Sequence, residues 1–357
     1  MATGWPMKTT YANGDVYSAS DVNDITGTIN LLGQSVTTAA GKNAVINGGM
    51  DIWQRGTSFT ATSVYTADRW YTSTNTGQTI TRQTTSDTTN LPFIQYCTRA
   101  QRNNGTTNTN ALGIGQSFES VNSIPFAGRS VTLSFYARKG ANLSGTFTAV
   151  IFSGTGTDQP RNFTATYTGE ATVATSSPTL TTTWARYTVT GTVASTATEL
   201  SILIYFVPSG TAGAADYFEV TGVQLEYGTT ATTFSRAGGS IAGELVLCQR
   251  YYWRAQNPDV YAFYGNGQAE TSNSGQIFIQ PPVTMRVASS IVVDYSNLAT
   301  YDGATIRAIS AITINHYTNN AYVFTGTVST ATYTVGRAYY LINNNSTSAY
   351  FALSAEL

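Results

Sequence analysis

Apolar and polar side chains alternate with a period of two through much of this chain. The pattern is plain in residues 130–138 (SVTLSFYAR), 146–152 (TFTAVIF), 184–190 (WARYTVT) and 217–225 (YFEVTGVQL). Every second side chain of a strand points to the same face, so each run predicts a strand with one buried side. Gly, Ser, Asn and Asp separate the runs as turn formers. Many short alternating strands predict an all-β, antiparallel sandwich or barrel. The longest apolar run, residues 201–208 (SILIYFVP), reads as a buried strand. It falls far short of the ~20 residues a membrane helix needs. A boundary is expected near Gly238-Gly239-Ser240, followed by the stretch 244–253 (ELVLCQRYYW). Further strands are expected at 276–280, 288–295, 311–316, 325–334 and 337–342. Pro281-Pro282 would interrupt a central strand, so the pair marks an edge or a bend.

The period changes near the start. Ser20 can cap a helix, with Asp21 and Asp24 in its first turn. Val22, Ile25, Ile29, Leu32 and Val36 then recur at spacings of three, four, three and four, a heptad seam. Gly27 and Gly33 weaken that helix. Ile at both seam positions favours three strands or more, which predicts a homotrimer. The other reading is an amphipathic helix lying on its own domain. The predicted organisation is an N-terminal arm with a short helix (1–40), a first β domain, sandwich or barrel (41–238), and a smaller C-terminal β-sandwich (239–357).

Composition agrees with strands. Only 10% of the 357 residues are charged, against roughly 25% in an average soluble protein. Thr, Ser, Asn and Gly stand in their place. The net charge of −1 gives no electrostatic footprint for nucleic acid or an anionic membrane. The N-terminus lacks the basic start and apolar centre of a signal peptide. Cys97 and Cys248 have no partner spacing for zinc and read as buried apolar residues.

Three stretches carry a family resemblance. The first is 43–56 (NAVINGGMDIWQRG) followed by 65–70 (YTADRW). The second is 221–228 (TGVQLEYG) followed by 231–236 (ATTFSR). The third is 248–252 (CQRYY) followed by 282–286 (PVTMR). Together they resemble a family of structural proteins of tailed bacteriophage particles, found as tail-fibre, tail-associated or head-associated proteins. The middle of the chain also resembles a carbohydrate-binding module of the jelly-roll type, with the SFYAR strand as its centre. That resemblance implies that the first and last strands of the domain lie together. Some modules of that group hold a structural calcium there. The matching carboxylates would be Asp51, Asp216 and Glu226. The preferred reading is that these carboxylates cap turns or pair with arginine, so no metal and no other cofactor are expected.

Catalytic chemistry finds little purchase. The lone histidine, His316, lies in an alternating strand with no nucleophile motif beside it. The Gly-containing stretches 113–115 and 153–157 lack the Lys and following helix of a phosphate loop. Paired carboxylates can cleave glycosides, but the chain shows no repeat of the kind found in long β-helical depolymerases. The expectation is therefore not an enzyme, and sugar binding is the live alternative. Sugar sites stack aromatic faces on the apolar face of a pyranose. Of the many aromatics, Trp53 and Trp70 are expected inside, beside Arg55 and Arg69, with Asp68-Arg69 locking the start of the domain. Tyr261, Phe263 and Tyr264 flank a Gly-rich turn and are the candidate ligand-binding patch, the other reading being a core hairpin.

The expected function is a structural component of a virion, a fibre, spike or capsid decoration. It would be made in the host cytoplasm and exposed on the particle surface. The arm would contact other virion proteins, and the lobes would project and assist host adsorption or particle stability. A dedicated receptor-binding protein for host surface glycan is the first alternative and a glycan depolymerase the second. No nucleic-acid partner and no membrane insertion are expected.

Overall fold

The computed structural model describes residues 42–60, 63–72, 75–288, 291–330 and 332–357. The attachment arm and its seam, Val22, Ile25, Ile29, Leu32 and Val36, lie outside the described residues. The first part of the chain forms β1 (Ser58–Phe59), β2 (Val64–Tyr65), β3 (Tyr71–Thr72), β4 (Gln78–Thr84), β5 (Tyr96–Arg102) and β6 (Leu112–Ser117). A short helix, α1 (Ser120–Ser123), precedes β7 (Ser130–Lys139) and β8 (Thr146–Gly154). Then come β9 (Ala171–Ser176), β10 (Ala185–Thr192), β11 (Glu199–Val207) and β12 (Tyr217–Tyr227). They form two six-stranded sheets, ordered β1-β4-β5-β12-β7-β10 and β2-β3-β6-β11-β8-β9.

The sequence alternation sets which side chains meet between these sheets. Leu133, Phe135 and Ala137 of β7 and Phe218 and Val220 of β12 face Ala149 and Ile151 of β8 and Ile202, Ile204 and Phe206 of β11. Phe147 and Phe218 pack edge to face at 5.1 Å. Each large side chain so buried stabilises the sandwich by roughly 1.5–3 kcal/mol. At the edge of this core, Arg102 and Asp216 are fully buried and paired at 2.9 Å. Arg102 also donates to the carbonyls of Thr106 and Gly210. Asp216 accepts from Ser144 N and Oγ. These bonds offset much of the desolvation of both charges, while the buried Arg102 Nε makes no hydrogen bond among the described residues.

The stretch after Ser240 is helical. The helix α2 (Ile241–Gln249) is capped by Ser240, whose hydroxyl accepts from Gly243 N at 3.0 Å. Its apolar residues run together without alternation, so nothing in them selects a strand. The strands that follow are β13 (Tyr252–Gln256), β14 (Phe263–Ala269), β15 (Ser274–Ile279), β16 (Val292–Ser296) and β17 (Leu298–Tyr301). The last are β18 (Ile306–Thr318), β19 (Ala321–Val328), β20 (Ala338–Asn343) and β21 (Tyr350–Ser354). Six of them close into a barrel, β14-β15-β19-β18-β17-β20, and three form a separate sheet, β13-β21-β16. The C-terminal part is thus all-β as expected, with its main sheet closed on itself. Two register shifts in the long β18 help it curve around the barrel. Ile277, Ile279, Phe324, Leu341, Phe351 and Leu353 fill the interior. Pro281 and Pro282 follow one residue beyond β15, where the strand ends.

The first and third motif stretches meet where the two parts join. The Arg69 side chain pairs with the Glu356 carboxylate and donates to Ser117 O at 2.8 Å. Arg55 reaches the same carboxylate at 3.1 Å. Each arginine lies over a tyrosine of the CQRYY stretch, Arg69 at 3.6 Å from the Tyr251 ring centre and Arg55 at 3.5 Å from that of Tyr252. Arg250 grips Glu119 with two bonds at 3.1 and 2.9 Å. The Tyr65 hydroxyl donates to Leu357 O at 2.9 Å. Asp68 does not pair with Arg69. It accepts from Gln54 N at 3.0 Å and from the Gln54 side chain, with Arg55 at 3.8 Å. Arg69 has φ of 72°, a left-handed turn that sends consecutive side chains to different partners. Burial pushes the Asp68 carboxyl up to about 6.

Candidate functional site

Two surfaces are placed to meet a ligand, the outer face of the sheet containing β11 and the outside of the barrel. On the first, Ser201, Leu203 and Tyr205 point away from the core that Ile202 and Ile204 enter. The segment 155–170 is drawn down over part of this face. Tyr167 donates from its hydroxyl to Leu200 O at 2.7 Å, and Ser117 Oγ donates to Arg161 O at 2.9 Å. The Glu199 carboxylate accepts from Gly156 N and Gln159 N beneath the segment. Burial pushes the Glu199 pKa up, against those two bonds. Gly154 makes this cover fit, since a Cβ there would strike the Tyr167 ring. What stays open is a half-buried pair, Phe163 edge-on to Tyr205 at 6.0 Å.

The barrel presents the second surface. Asn266 on β14 stands opposite Phe278 on β15 and opposite Tyr340 on β20. Tyr340 in turn stands opposite Tyr301 on β17. Phe278, Asn266, Tyr340 and Tyr301 therefore form one row across four neighbouring strands, which lie about 4.8 Å apart. The flanking positions Ile277, Ile279, Tyr339 and Leu341 turn inward, so the row faces out. Phe278 is 46% exposed and Tyr340 54%. Phe263, 61% exposed, extends the row and meets Tyr340 edge to face at 5.7 Å. Exposed aromatics that adjoin one another mark interaction sites, whereas scattered ones need no explanation.

The backbone beside this row is held by a buried amide. Asn343 accepts from Ala262 N at 2.9 Å, donates from its own N to Ala262 O at 3.0 Å, and donates from its side chain to Asp259 O. Next to that anchor Tyr261 takes φ of 60° with its ring 46% exposed. A left-handed tyrosine carries strain that its surroundings must hold. At the far end of the row, Asp302 follows Tyr301. Burial would raise its carboxyl, but bonds from Thr305 N, Ala304 N and Arg307 outweigh it and hold the group below its ordinary value.

Of the three aromatics expected from sequence to bind ligand, the structure brings Tyr261 and Phe263 to the surface. Tyr264 turns inward. Its hydroxyl donates to Ala349 O at 3.0 Å, its ring packs on the core, and burial raises its pKa. Sequence reading missed Phe278, Tyr301, Tyr340 and Asn266. Alternation around Tyr339-Tyr340 signals that one ring faces out, but not which strand lies beside it. His316 sits exposed on β18 opposite Val323, which itself stands opposite Phe278. The calcium candidates do not converge. Asp51 pairs with Arg236 at 2.7 Å, Asp216 with Arg102, and Glu226 with Lys42 and Thr232. Asp216 and Glu226 lie at opposite ends of β12. Among the described residues no group of three or more His, Cys, Asp or Glu is placed to hold a metal. Cys97 and Cys248 are buried and free.

No protein-family model matches the chain, and no curated protein sequence matches it. Among solved structures it is similar to a protein described under "CBM4 structure and function", at 17% identity and TM-score 0.26. That match covers 37% of this chain and 71% of that one. It is also similar to the CBM22-1 xylan-binding domain of Paenibacillus barcinonensis Xyn10C, at 10% identity and TM-score 0.33, over 54% of this chain and 98% of that one. A third is the enzymatically active domain of tailspike protein 4 from bacteriophage CBA120, at 17% identity and TM-score 0.31. It covers 52% of this chain and 21% of that one. At these scores the likeness carries no functional weight.

Proposed function

We propose that this chain is an adhesive structural subunit of a phage particle that binds a surface glycan through the aromatic row on its barrel. One observation carries the glycan part. Phe263, Phe278, Tyr340 and Tyr301 share one outward-facing row on strands, with Phe263 against Tyr340 and the Asn266 amide between Phe278 and Tyr340. Pyranose rings offer apolar C–H faces to such rings and hydroxyls to such amides. Strand-borne aromatics lose little conformational freedom on binding, which favours affinity from a modest area. The virion part rests on the resemblance of the three motif stretches to phage structural proteins.

The activity proposed is binding and not bond cleavage. Several described carboxylates are engaged in structural bonds, Glu119 with Arg250, Asp216 with Arg102, and Glu219 with Arg99 and Arg138. Glu199 lies buried beneath the 155–170 segment. Neither arrangement leaves an acid and a base facing a shared cleft, as glycoside cleavage requires.

The test is to incubate the purified full chain with host cells and with their isolated surface polysaccharide. Retention on cells that free polysaccharide competes away, with no release of reducing ends, is the expected result. Retention on cells stripped of polysaccharide would overturn the glycan reading, and polysaccharide shortening would overturn the non-catalytic one. Its absence from purified particles, by mass spectrometry, would overturn the virion reading.

A further inference from the structure

A second row runs beside the aromatic one on the barrel, and it is polar. Gln268 on β14 stands opposite Gln276 on β15. Gln276 stands opposite Thr325 on β19, and Thr325 opposite Thr313 on β18. Gln268 and Gln276 sit two residues along their strands from Asn266 and Phe278, so they share the outward face about 7 Å away. Each amide nitrogen is already held. Gln268 Nε2 donates to Gly336 O at 2.7 Å, and Gln276 Nε2 donates to Glu270 Oε1 at 2.5 Å. With its nitrogen held, each amide offers its oxygen, which accepts from a hydroxyl. Charge is nearly absent from this wall. Among the described residues, Arg307 is the single Asp, Glu, Lys or Arg in the six barrel strands. It is committed to Asp302 at 3.0 Å and to Thr332. Arg337, just before β20, faces the same Asp302 at 3.7 Å. His316 lies two strands from Phe278, on the side away from Tyr340.

We infer that this wall takes a neutral, extended polysaccharide lying across the strands. The inference rests on the sugar-binding reading of the aromatic row and names the class of sugar. Phe278 and Tyr340 are two strands apart, about 10 Å, which is the length of two pyranoses in an extended chain. One pyranose stacks on Phe278 and the next but one on Tyr340, where Phe263 and Tyr301 widen the platform. The pyranose between them lies over Asn266. Hydroxyls along one side of the chain reach Gln268 and Gln276. A tightly coiled chain could not lie on both platforms at once. A chain carrying carboxylates or phosphates would give up their water with no cation on the strands to replace it.

Host surface polysaccharide, separated by anion exchange into neutral and acidic fractions, tests this by calorimetric titration into the full chain. The neutral fraction should bind. Its affinity should change less than about twofold from about 0.1 M to about 1 M salt, although the screening length falls from about 10 Å to about 3 Å. Oligosaccharides cut from it should gain at least about tenfold in affinity from disaccharide to tetrasaccharide, as the second platform engages. Gln268→Ala with Gln276→Ala should weaken the neutral fraction about tenfold and leave the melting temperature unchanged. Binding confined to the acidic fraction, or affinity that falls about tenfold over that salt range, would overturn the neutral ligand and leave the glycan reading standing. Equal affinity for disaccharide and tetrasaccharide would overturn the extended chain, and unchanged affinity in the glutamine variant its course along the polar row. Failure of both fractions to bind would overturn the glycan reading itself.

Discussion

Asp68 and Arg69 are neighbours in sequence with separate tasks in space. Asp68 lies buried with Gln54 and Arg55, and its pKa stands at about 6, above the ordinary 3.8, because burial disfavours its charge. A group whose folded pKa is raised contributes stability that is full below its unfolded pKa and lost as pH rises through the folded one. Between about pH 4 and pH 6 this carboxyl should therefore cost the fold up to about 3 kcal/mol. Denaturant titrations of the wild type and Asp68→Asn at several pH values check this. The stability of the wild type relative to the variant should fall across that window; a flat difference would contradict it. Arg102 carries a second residue-scale prediction. Arg102→Ala leaves Asp216 charged and fully buried, which should cost about 3–5 kcal/mol. Chemical denaturation would show it, and a loss under 1 kcal/mol would mean the pair matters little. Sequence marked Trp53 and Trp70 as interior residues, and both are buried. It could not assign partners to Asp68 and Arg69, because the left-handed turn at Arg69 separates side chains that the sequence sets side by side.

Strands were legible wherever one face is buried and the other is not, because that condition writes a period of two. The runs at 130–138, 146–152 and 217–225 all fall on strands of the sandwich. The helix at 241–249 was not legible as one, since its apolar residues cluster and only the Ser240 cap announces it. Nor did the sequence show that β14 pairs with β20, some seventy positions later, which closes the barrel. The candidate site suffered most from this. Tyr261 and Phe263 could be found from a local turn, but Tyr340 and Phe278 join them only through long-range register. At this scale the Asn-Gly-Gly stretch makes a prediction. The Gly48 carbonyl accepts from Val223 N at 2.9 Å, and a Cβ on Gly48 would run into the Val223 carbonyl oxygen. Gly48→Ala should thus destabilise the sandwich by about 1–3 kcal/mol. Gly228→Ala gives a steric control: its Cβ would meet no neighbour within 4 Å, although its φ of 99° adds backbone strain. Thermal melts of both variants compare the clash with strain alone, and equal losses would contradict the clash.

The whole molecule is held together by its motif residues. Arg55 and Arg69 from the start of the sandwich, Tyr251 and Tyr252 from the segment after α2, and Glu356 from the chain's last residues form one cluster. The first and third stretches supply this junction, and the proposed ligand surface lies elsewhere, on strands with no distinctive sequence. Glu356→Ala would leave Arg69 buried without its carboxylate. Calorimetry should then resolve separate transitions for sandwich and barrel where the wild type shows one. A single, unshifted transition would show that the junction does not couple them. The central claim is that the exposed row on the barrel grips sugar. Calorimetric titration of host polysaccharide into the wild type and into Phe263→Ala/Tyr340→Ala measures it directly. Both rings are exposed, so the double variant should fold and melt as the wild type does. Hot-spot aromatics each contribute about 2 kcal/mol, so affinity should drop at least about thirtyfold. Equal affinity in the two proteins would contradict the account.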